Sequence, residues 1–326
     1  MGRIAVLTTG GTVAMRYDPE AGGPVPLLGP EELAASLPPG APELALEAVC
    51  SLPSSHFTVE TLWQIRERTA AWAADPQVDG VVITHGTDTL EETAYLLDLT
   101  VPGETPIVVT GAMRSASDLG YEGPANLWAS IRVAASSQAR GLGTVVVLND
   151  EIHAARFVTK MDTLSTATFQ SPGWGPLGRV EGDRVHIPWR LEREVIPCSR
   201  LEKRVALIKL GVGMPADPLE DALHRGVRGI VLEGLGGGRI PPWWLPAIEQ
   251  AVAQGVTVVV ASRCPSGRVW DGYGYKGGHR TLRELGCLFS PHLNGQKARI
   301  RLMVVLGSAS SPEEVARLWE HRTLSK

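Results

Sequence analysis

Val81-Val82-Ile83-Thr84-His85-Gly86-Thr87-Asp88-Thr89-Leu90-Glu91-Glu92 is the stretch whose reading decides the fold. It begins with a β-branched apolar run that lacks polar alternation, as expected of a strand covered on both faces. His85-Gly86 breaks that run. Thr89-Leu90-Glu91-Glu92 then has the order of a capping box, a hydroxyl followed three residues later by a carboxylate, opening a helix with the apolar stripe Leu90, Ala94 and Leu97. Strand, glycine turn and helix in immediate succession form the repeating unit of an α/β fold.

The same pattern recurs along the chain. Ile4-Ala5-Val6-Leu7 runs into the turn Thr8-Thr9-Gly10-Gly11-Thr12, and the strand candidates are 4–8, 80–84, 107–110, 144–148, 205–210, 229–233, 256–261 and 299–306. Helix signals fall between them: Thr58 precedes an amphipathic stretch with Leu62, Trp63 and Ile65, and Ser311-Pro312-Glu313-Glu314 repeats the capping device with proline at the first helical position. Around 182–204 the periodicity lapses, through Glu181-Gly182-Asp183 into Arg190-Leu191-Glu192-Arg193-Glu194. The expectation is therefore a larger N-terminal doubly wound α/β domain over 1–185, with a mixed, mostly parallel sheet. A linker over 186–204 follows, then a smaller C-terminal α/β domain with a parallel sheet over 205–326.

Composition narrows the function classes. The 326 residues are 44 % hydrophobic and 20 % charged, values of a globular protein with a substantial core. The net charge of −4, without a lysine or arginine run, gives nucleic-acid binding little support. Cys50, Cys198, Cys264 and Cys287 form no C-x-x-C pair and read as reduced thiols, so neither zinc nor another cofactor is expected. No apolar run approaches the roughly 20 residues that span a bilayer. Met1-Gly2-Arg3 leads at once into a strand, and the expected location is the cytoplasm.

Three places can do chemistry. Thr12 sits in a turn whose glycines admit positive φ and let backbone N–H groups approach a ligand; a plain tight strand exit is the equal alternative. The segment from Ala14 to Gly29 shows no helical period and reads as a mobile loop, a lid over a site being one use of it. Thr87 and Asp88 stand at a helix start, where the dipole favours negative charge; an isolated Asp there often only complements the dipole. Lys160, in Arg156-Phe157-Val158-Thr159-Lys160-Met161-Asp162, would be an ordinary surface lysine. The exception arises if a threonine needs a base, which a lysine neutralised by burial and positive neighbours supplies. His85 reads as packed or bonded to backbone at the strand end.

The run from Val82 to Tyr95 resembles the second signature of the bacterial-type L-asparaginases, and Thr8-Thr9-Gly10-Gly11-Thr12-Val13-Ala14 resembles their first. The similarity continues through Val109-Thr110-Gly111-Ala112-Met113-Arg114, Gly123-Pro124-Ala125-Asn126-Leu127, Val158-Thr159-Lys160, Gly175-Pro176-Leu177-Gly178 and Asn294-Gly295-Gln296-Lys297-Ala298-Arg299, in family order. The resemblance implies hydrolysis of asparagine to aspartate and ammonia through an acyl-enzyme, without a cofactor. Thr12 is then the nucleophile, and Thr87, Asp88 and Lys160 form a second hydroxyl–carboxylate–amine cluster. Gly11, Ser54, Ser55, Gly86 and the backbone of Ala112 contact substrate, and Tyr17 takes the place of the family's loop tyrosine. A homodimer or homotetramer with active sites near a subunit interface is also implied.

The chain departs from that pattern at three points. Tyr17 is only five residues past Thr12, and Gly236-Gly237-Gly238-Arg239 replaces an asparagine-bearing turn. His279, within Tyr275-Lys276-Gly277-Gly278-His279-Arg280, falls where a partner subunit's glutamate is expected. Either Arg239 pairs with a local acid or points to solvent, or the pocket has lower affinity or another amide preference. A broader glutaminase-asparaginase and a non-catalytic amino-acid sensor are the competing functions; retention of both hydroxyls, Asp88 and Lys160 speaks against the sensor. Gly234-Leu235-Gly236-Gly237-Gly238 lacks the later acidic residue of a dinucleotide site.

Overall fold

A computed structural model of the chain describes residues 2–320. A boundary between Val195 and Ile196 separates two compact units. The N-terminal unit contains β1 (Arg3–Gly10), β2 (Met15–Asp18), β3 (Gly23–Pro26), α1 (Pro30–Ala35), β4 (Leu44–Leu52), α2 (Val59–Ala73), β5 (Val78–Thr84) and α3 (Leu90–Thr100). It continues with β6 (Ile107–Thr110), α4 (Gly123–Ala135), β7 (Thr144–Leu148), β8 (Glu151–Ala154), β9 (Thr159–Lys160), β10 (Phe169–Gln170), β11 (Gly178–Glu181) and β12 (Arg184–His186). An eight-stranded sheet has the order β12-β11-β8-β7-β6-β5-β1-β4. Its β4-β1-β5-β6-β7 part is parallel, whereas β8, β11 and β12 join antiparallel.

The absence of alternation in the central strands has the expected cause. Ile4, Val6, Val82 and Val108 pack on one face of the sheet with Leu127 and Ile131 of α4. Ala5, Leu7, Val81, Ile83 and Val109 pack on the other with Leu90 and Leu97 of α3. Both faces are dry, so the strand centres Ile4–Leu7 and Val81–Ile83 are apolar at every position. The chain leaves β1, forms β4 on one side of it, and crosses to form β5 on the other. The turns after β1 and β5 therefore open at the point where strand order reverses, the usual ligand crevice of such sheets.

The C-terminal unit is a parallel sheet of order β13-β14-β15-β16 (Val205–Lys209, Gly229–Gly234, Thr257–Ser262, Leu288–Phe289). Its helices are α5 (Asp217–His224), α6 (Leu245–Ala253), α7 (His279–Glu284), α8 (Gly295–Ser308) and α9 (Pro312–Glu320), with Trp244 fully enclosed in the core.

Three local expectations are corrected. The segment 299–306, read as a strand, lies inside α8: Asn294 caps that helix by accepting the Lys297 N–H at 3.1 Å, and its apolar run is a buried helical face. A short apolar run without caps in view suits either element. The stretch after Ala14 is a β-hairpin, β2 paired with β3, rather than a loop without secondary structure. Thr89 does not cap α3 through its side chain; its hydroxyl donates to Ser54 O at 3.1 Å, so the capping box does not form. Thr58 does cap α2, accepting the Thr61 N–H at 3.2 Å. Among the described residues no helix is long and apolar enough to cross a membrane.

Gly80 lets α4 lie against β5, since a Cβ there would sit 2.3 Å from Ala134 O. Gly80→Ala is expected to destabilise the protein by about 1–3 kcal/mol in urea unfolding. An unchanged unfolding midpoint would contradict this packing.

Candidate active site

The two glycine turns meet. Gly11, at φ +76°, has its backbone so close to Gly86 that a Cβ would lie 2.3 Å from Gly86 Cα. A Cβ on Gly86 would lie 2.7 Å from Ser54 Oγ, and one on Gly111 would lie 2.5 Å from His85 O. Turns at the carboxyl ends of β1, β4, β5 and β6 are thus stacked main chain on main chain. Thr9 reinforces the join, its hydroxyl donating to Thr84 O at 2.9 Å.

Thr12 begins a short 3-10 turn, Thr12–Ala14, and is partly exposed. Across the join, Lys160 Nζ donates to Thr87 Oγ1 at 2.9 Å and to Asp88 Oδ1 at 3.0 Å. Thr87 is buried, the Lys160 side chain is mostly covered, and the Asp88 carboxylate is 61 % exposed. The neighbours of Lys160 Nζ here are a hydroxyl and a carboxylate, where positive neighbours had been expected. Because the amine occupies a lone pair on Thr87 Oγ1, the Thr87 O–H stays free to donate outward. Asp88 keeps its second oxygen free for a cationic group.

Lys160 reaches this place through β9, which pairs antiparallel with β10. Glu91, on the first turn of α3, accepts the Thr159 hydroxyl at 2.8 Å and the Lys160 N–H at 3.4 Å. The sequence placed Glu91 only within the helix start Thr89-Leu90-Glu91-Glu92, and its partner is 68 residues away, so no local signal could have identified this role.

Ser54 is buried at 3 % exposure and holds the start of α3, accepting the Thr89 N–H at 3.3 Å, while Ser55 is exposed. Ala112 is fully buried beside the Gly111 turn. Tyr17 is 53 % exposed on the hairpin, and its N–H donates to Ser117 Oγ at 2.8 Å. In the C-terminal unit, Arg239 Nε lies 3.6 Å from Asp271 Oδ2, with its guanidinium 4.6 Å over the Tyr273 ring. The His279 N–H donates to the same Asp271 carboxylate at 3.2 Å, and its ring stacks on Phe289 at 4.0 Å. Burial and the nearby Arg283 hold the His279 imidazole below its ordinary range, against the pull of Asp271. Among the described residues no group of three or more His, Cys, Asp or Glu could hold a metal ion.

His85 is wholly buried. Its Nδ1 lies 2.7 Å from Gly86 O and its Nε2 2.8 Å from Thr93 Oγ1. A carbonyl only accepts, so Nδ1 carries the proton and Nε2 accepts from Thr93. Burial pushes its pKa down to about 4, and the Gly86 bond opposes this only in part.

The doubly wound unit, with a hydroxyl–ammonium–carboxylate cluster at its switch point and a second parallel α/β unit behind it in sequence, defines the class of protein. Residues 3–193 match the family described as Asparaginase, N-terminal, and residues 204–319 match the Glutaminase/Asparaginase C-terminal domain. The chain belongs to the asparaginase/glutaminase family. It is 36 % identical over 309 residues to an L-asparaginase of Bacillus licheniformis, covering 94 % of this chain and 96 % of that one. A glutaminase-asparaginase of Pseudomonas fluorescens biotype A is 34 % identical over 338 residues, covering 98 % and 91 %. A probable periplasmic L-asparaginase of Haemophilus influenzae is 38 % identical over 249 residues, covering 74 % and 70 %. Family membership therefore leaves the compartment open.

Two measurements check this geometry. In the unfolded chain His85 takes up a proton below about pH 6.5, while in the folded chain it stays neutral down to about 4. Stability is thus fully present above the first value and is lost as pH falls towards the second, by about 3 kcal/mol in all. Urea unfolding at about pH 7.5 and about pH 5 is expected to show most of this loss in the native protein and little of it in His85→Gln. Equal pH dependence in both proteins would contradict the burial. Gly11→Ala is expected to remove activity on any substrate of this site, because the added methyl must separate the two turns. Native turnover by Gly11→Ala would refute the close approach.

Proposed function

We propose that this chain hydrolyses the side-chain amide of L-asparagine to L-aspartate and ammonia, with Thr12 as nucleophile. The observation that carries the reading is Lys160 Nζ at 2.9 Å from Thr87 Oγ1 and 3.0 Å from Asp88 Oδ1, beside the turn that presents Thr12. Thr12 Oγ attacks the amide carbon. The hydroxyl proton passes to the departing nitrogen, which leaves as ammonia, and an ester to Thr12 remains. Water then adds to the ester carbon, aspartate leaves, and the proton returns to Thr12 Oγ. Thr87, Lys160 and Asp88 serve as the proton-handling cluster, with the free oxygen of Asp88 on the substrate ammonium. Backbone N–H groups near Gly11 and Gly86 face the developing oxyanion. Ser54, Ser55 and Ala112 bound the substrate, and Tyr17 covers it from the hairpin.

Membership of the family and the names of its relatives support the amide substrate. The glutaminase-asparaginase relative keeps glutamine as the second substrate to be tested. Family likeness also supports a homodimer or homotetramer, which sedimentation velocity would reveal as a species larger than the 34.9 kDa chain. A monomer at assay concentration would overturn that part. Cytoplasmic location is retained as part of the proposal and is read by cell fractionation.

The deciding assay is ammonia release from L-asparagine, L-glutamine and the D-isomers. Native protein is expected to release it from L-asparagine. Thr12→Ala should lower kcat by at least about 1000-fold, and Lys160→Met by about 100- to 10,000-fold, the worth of positioned acid–base groups. No release by native protein from any of the four would end the enzymatic reading.

A further inference from the structure

The Thr12 hydroxyl makes no hydrogen bond with another described residue, so its aim is inherited from the backbone that carries it. That backbone is tied at every carbonyl. Gly11 O accepts the Ala14 N–H at 2.9 Å, Thr12 O accepts the Met15 N–H, and Ala14 O accepts the Leu27 and Leu28 N–H groups. These are short-range or hairpin bonds. Main-chain bonds from farther off hold the two ends of the turn, Gly11 N–H donating to Leu52 O at 3.1 Å and Met15 O accepting the Ala116 N–H at 2.9 Å. Between them, Val13 O accepts a side-chain donor, the Tyr121 hydroxyl at 2.6 Å from 108 residues away.

Tyr121 lies two residues before α4, ahead of its N-cap residue Glu122. Gly123 lets its ring fold back over the helix start, since a Cβ there would lie 2.2 Å from ring atoms of Tyr121. The next residue, Glu122, leaves the helix end uncapped by its side chain and instead accepts the Met113 N–H and the Arg114 N–H. Asn126, one turn on, donates to Gly111 O at 2.9 Å and accepts the Asn149 N–H at 3.0 Å. One helix start therefore grips the turn carrying Thr12 and the turn carrying Ala112, and α4 itself is anchored in the core by Leu127 and Ile131.

We propose that Tyr121 is a positioning residue for the Thr12 nucleophile, fixing the Val13 peptide against α4, and that Glu122 and Asn126 hold the Ala112 turn in the same frame. The inference rests on the proposed role of Thr12. Burial, with the Glu122 charge adding to it, pushes the Tyr121 hydroxyl up to about 12, so it remains a protonated donor at any working pH. A donor that stays protonated, on a helix packed into the core through Leu127 and Ile131, gives the middle of the nucleophile turn an external reference. An attacking oxygen needs alignment at the scale of the reacting distance, and misplacement by about 1 Å costs about 100-fold.

Tyr121→Phe keeps the ring and deletes only the donor. We expect kcat for L-asparagine to fall about 10-fold with KM within about twofold, because substrate groups held by Ser54 and Asp88 are untouched. Amide exchange in the Gly11–Arg16 segment should accelerate while α4 and the sheet keep native protection. Native kcat in this variant would overturn the proposal. So would a fall in kcat accompanied by raised KM and a lowered urea midpoint, since that pattern marks a general packing role. If the native protein itself releases no ammonia, the reading of Thr12 fails separately. Exchange alone then decides the tether, and unchanged protection at Gly11–Arg16 would overturn it.

Discussion

The approach of Gly11 to Gly86 is the constraint on which the rest of the N-terminal unit depends. Neither position has room for a side chain, because each would drive a Cβ into main chain or into Ser54. Parallel strands β1 and β5 are already neighbours in the sheet, with Thr8 beside Thr84, so their turns must leave in directions that do not collide. Glycine at both positions permits them to stack. A hydroxyl from the first turn and a hydroxyl–carboxylate pair from the second are then presented at one mouth of the sheet.

The charges of the cluster are arranged with little waste. Lys160 is covered on most of its surface, and two of its three ammonium donors are taken up by Thr87 and Asp88. The strand that carries it is held by Glu91, a carboxylate only 5 % exposed, which is tolerated because it accepts a hydroxyl and an amide N–H. His85, in the same turn, is kept neutral by its burial and serves as a rigid strut between Gly86 and Thr93.

In the C-terminal unit, a single buried carboxylate organises the residues that depart most from the family pattern. Asp271 pairs with Arg239 and accepts the His279 N–H, while Tyr273 covers the guanidinium and Phe289 covers the imidazole. The local acid beside Arg239 is thus present within its own unit. An arginine in the glycine turn is held by a partner 32 positions later, so the turn accommodates a charge within its own unit.

How much was legible follows from the range of each interaction. Strand runs such as Val81–Thr84 and 144–148, the glycine turns, and the Thr58 cap are local, and they could be read from residue type and period alone. The strand reading of 299–306 failed because a dry helix and a dry strand expose the same apolar run to inspection. The capping box at Thr89 failed because Ser54, 35 residues earlier, competes for the same hydroxyl. Residue order by itself determined an α/β chain with hydroxyls at two strand ends, since steric limits on φ and hydrophobic period act within a few residues. Only the tertiary structure decided that Lys160 meets Thr87 across 73 residues, and that Tyr121 holds Val13 across 108, because such contacts depend on where the sheet brings distant turns together.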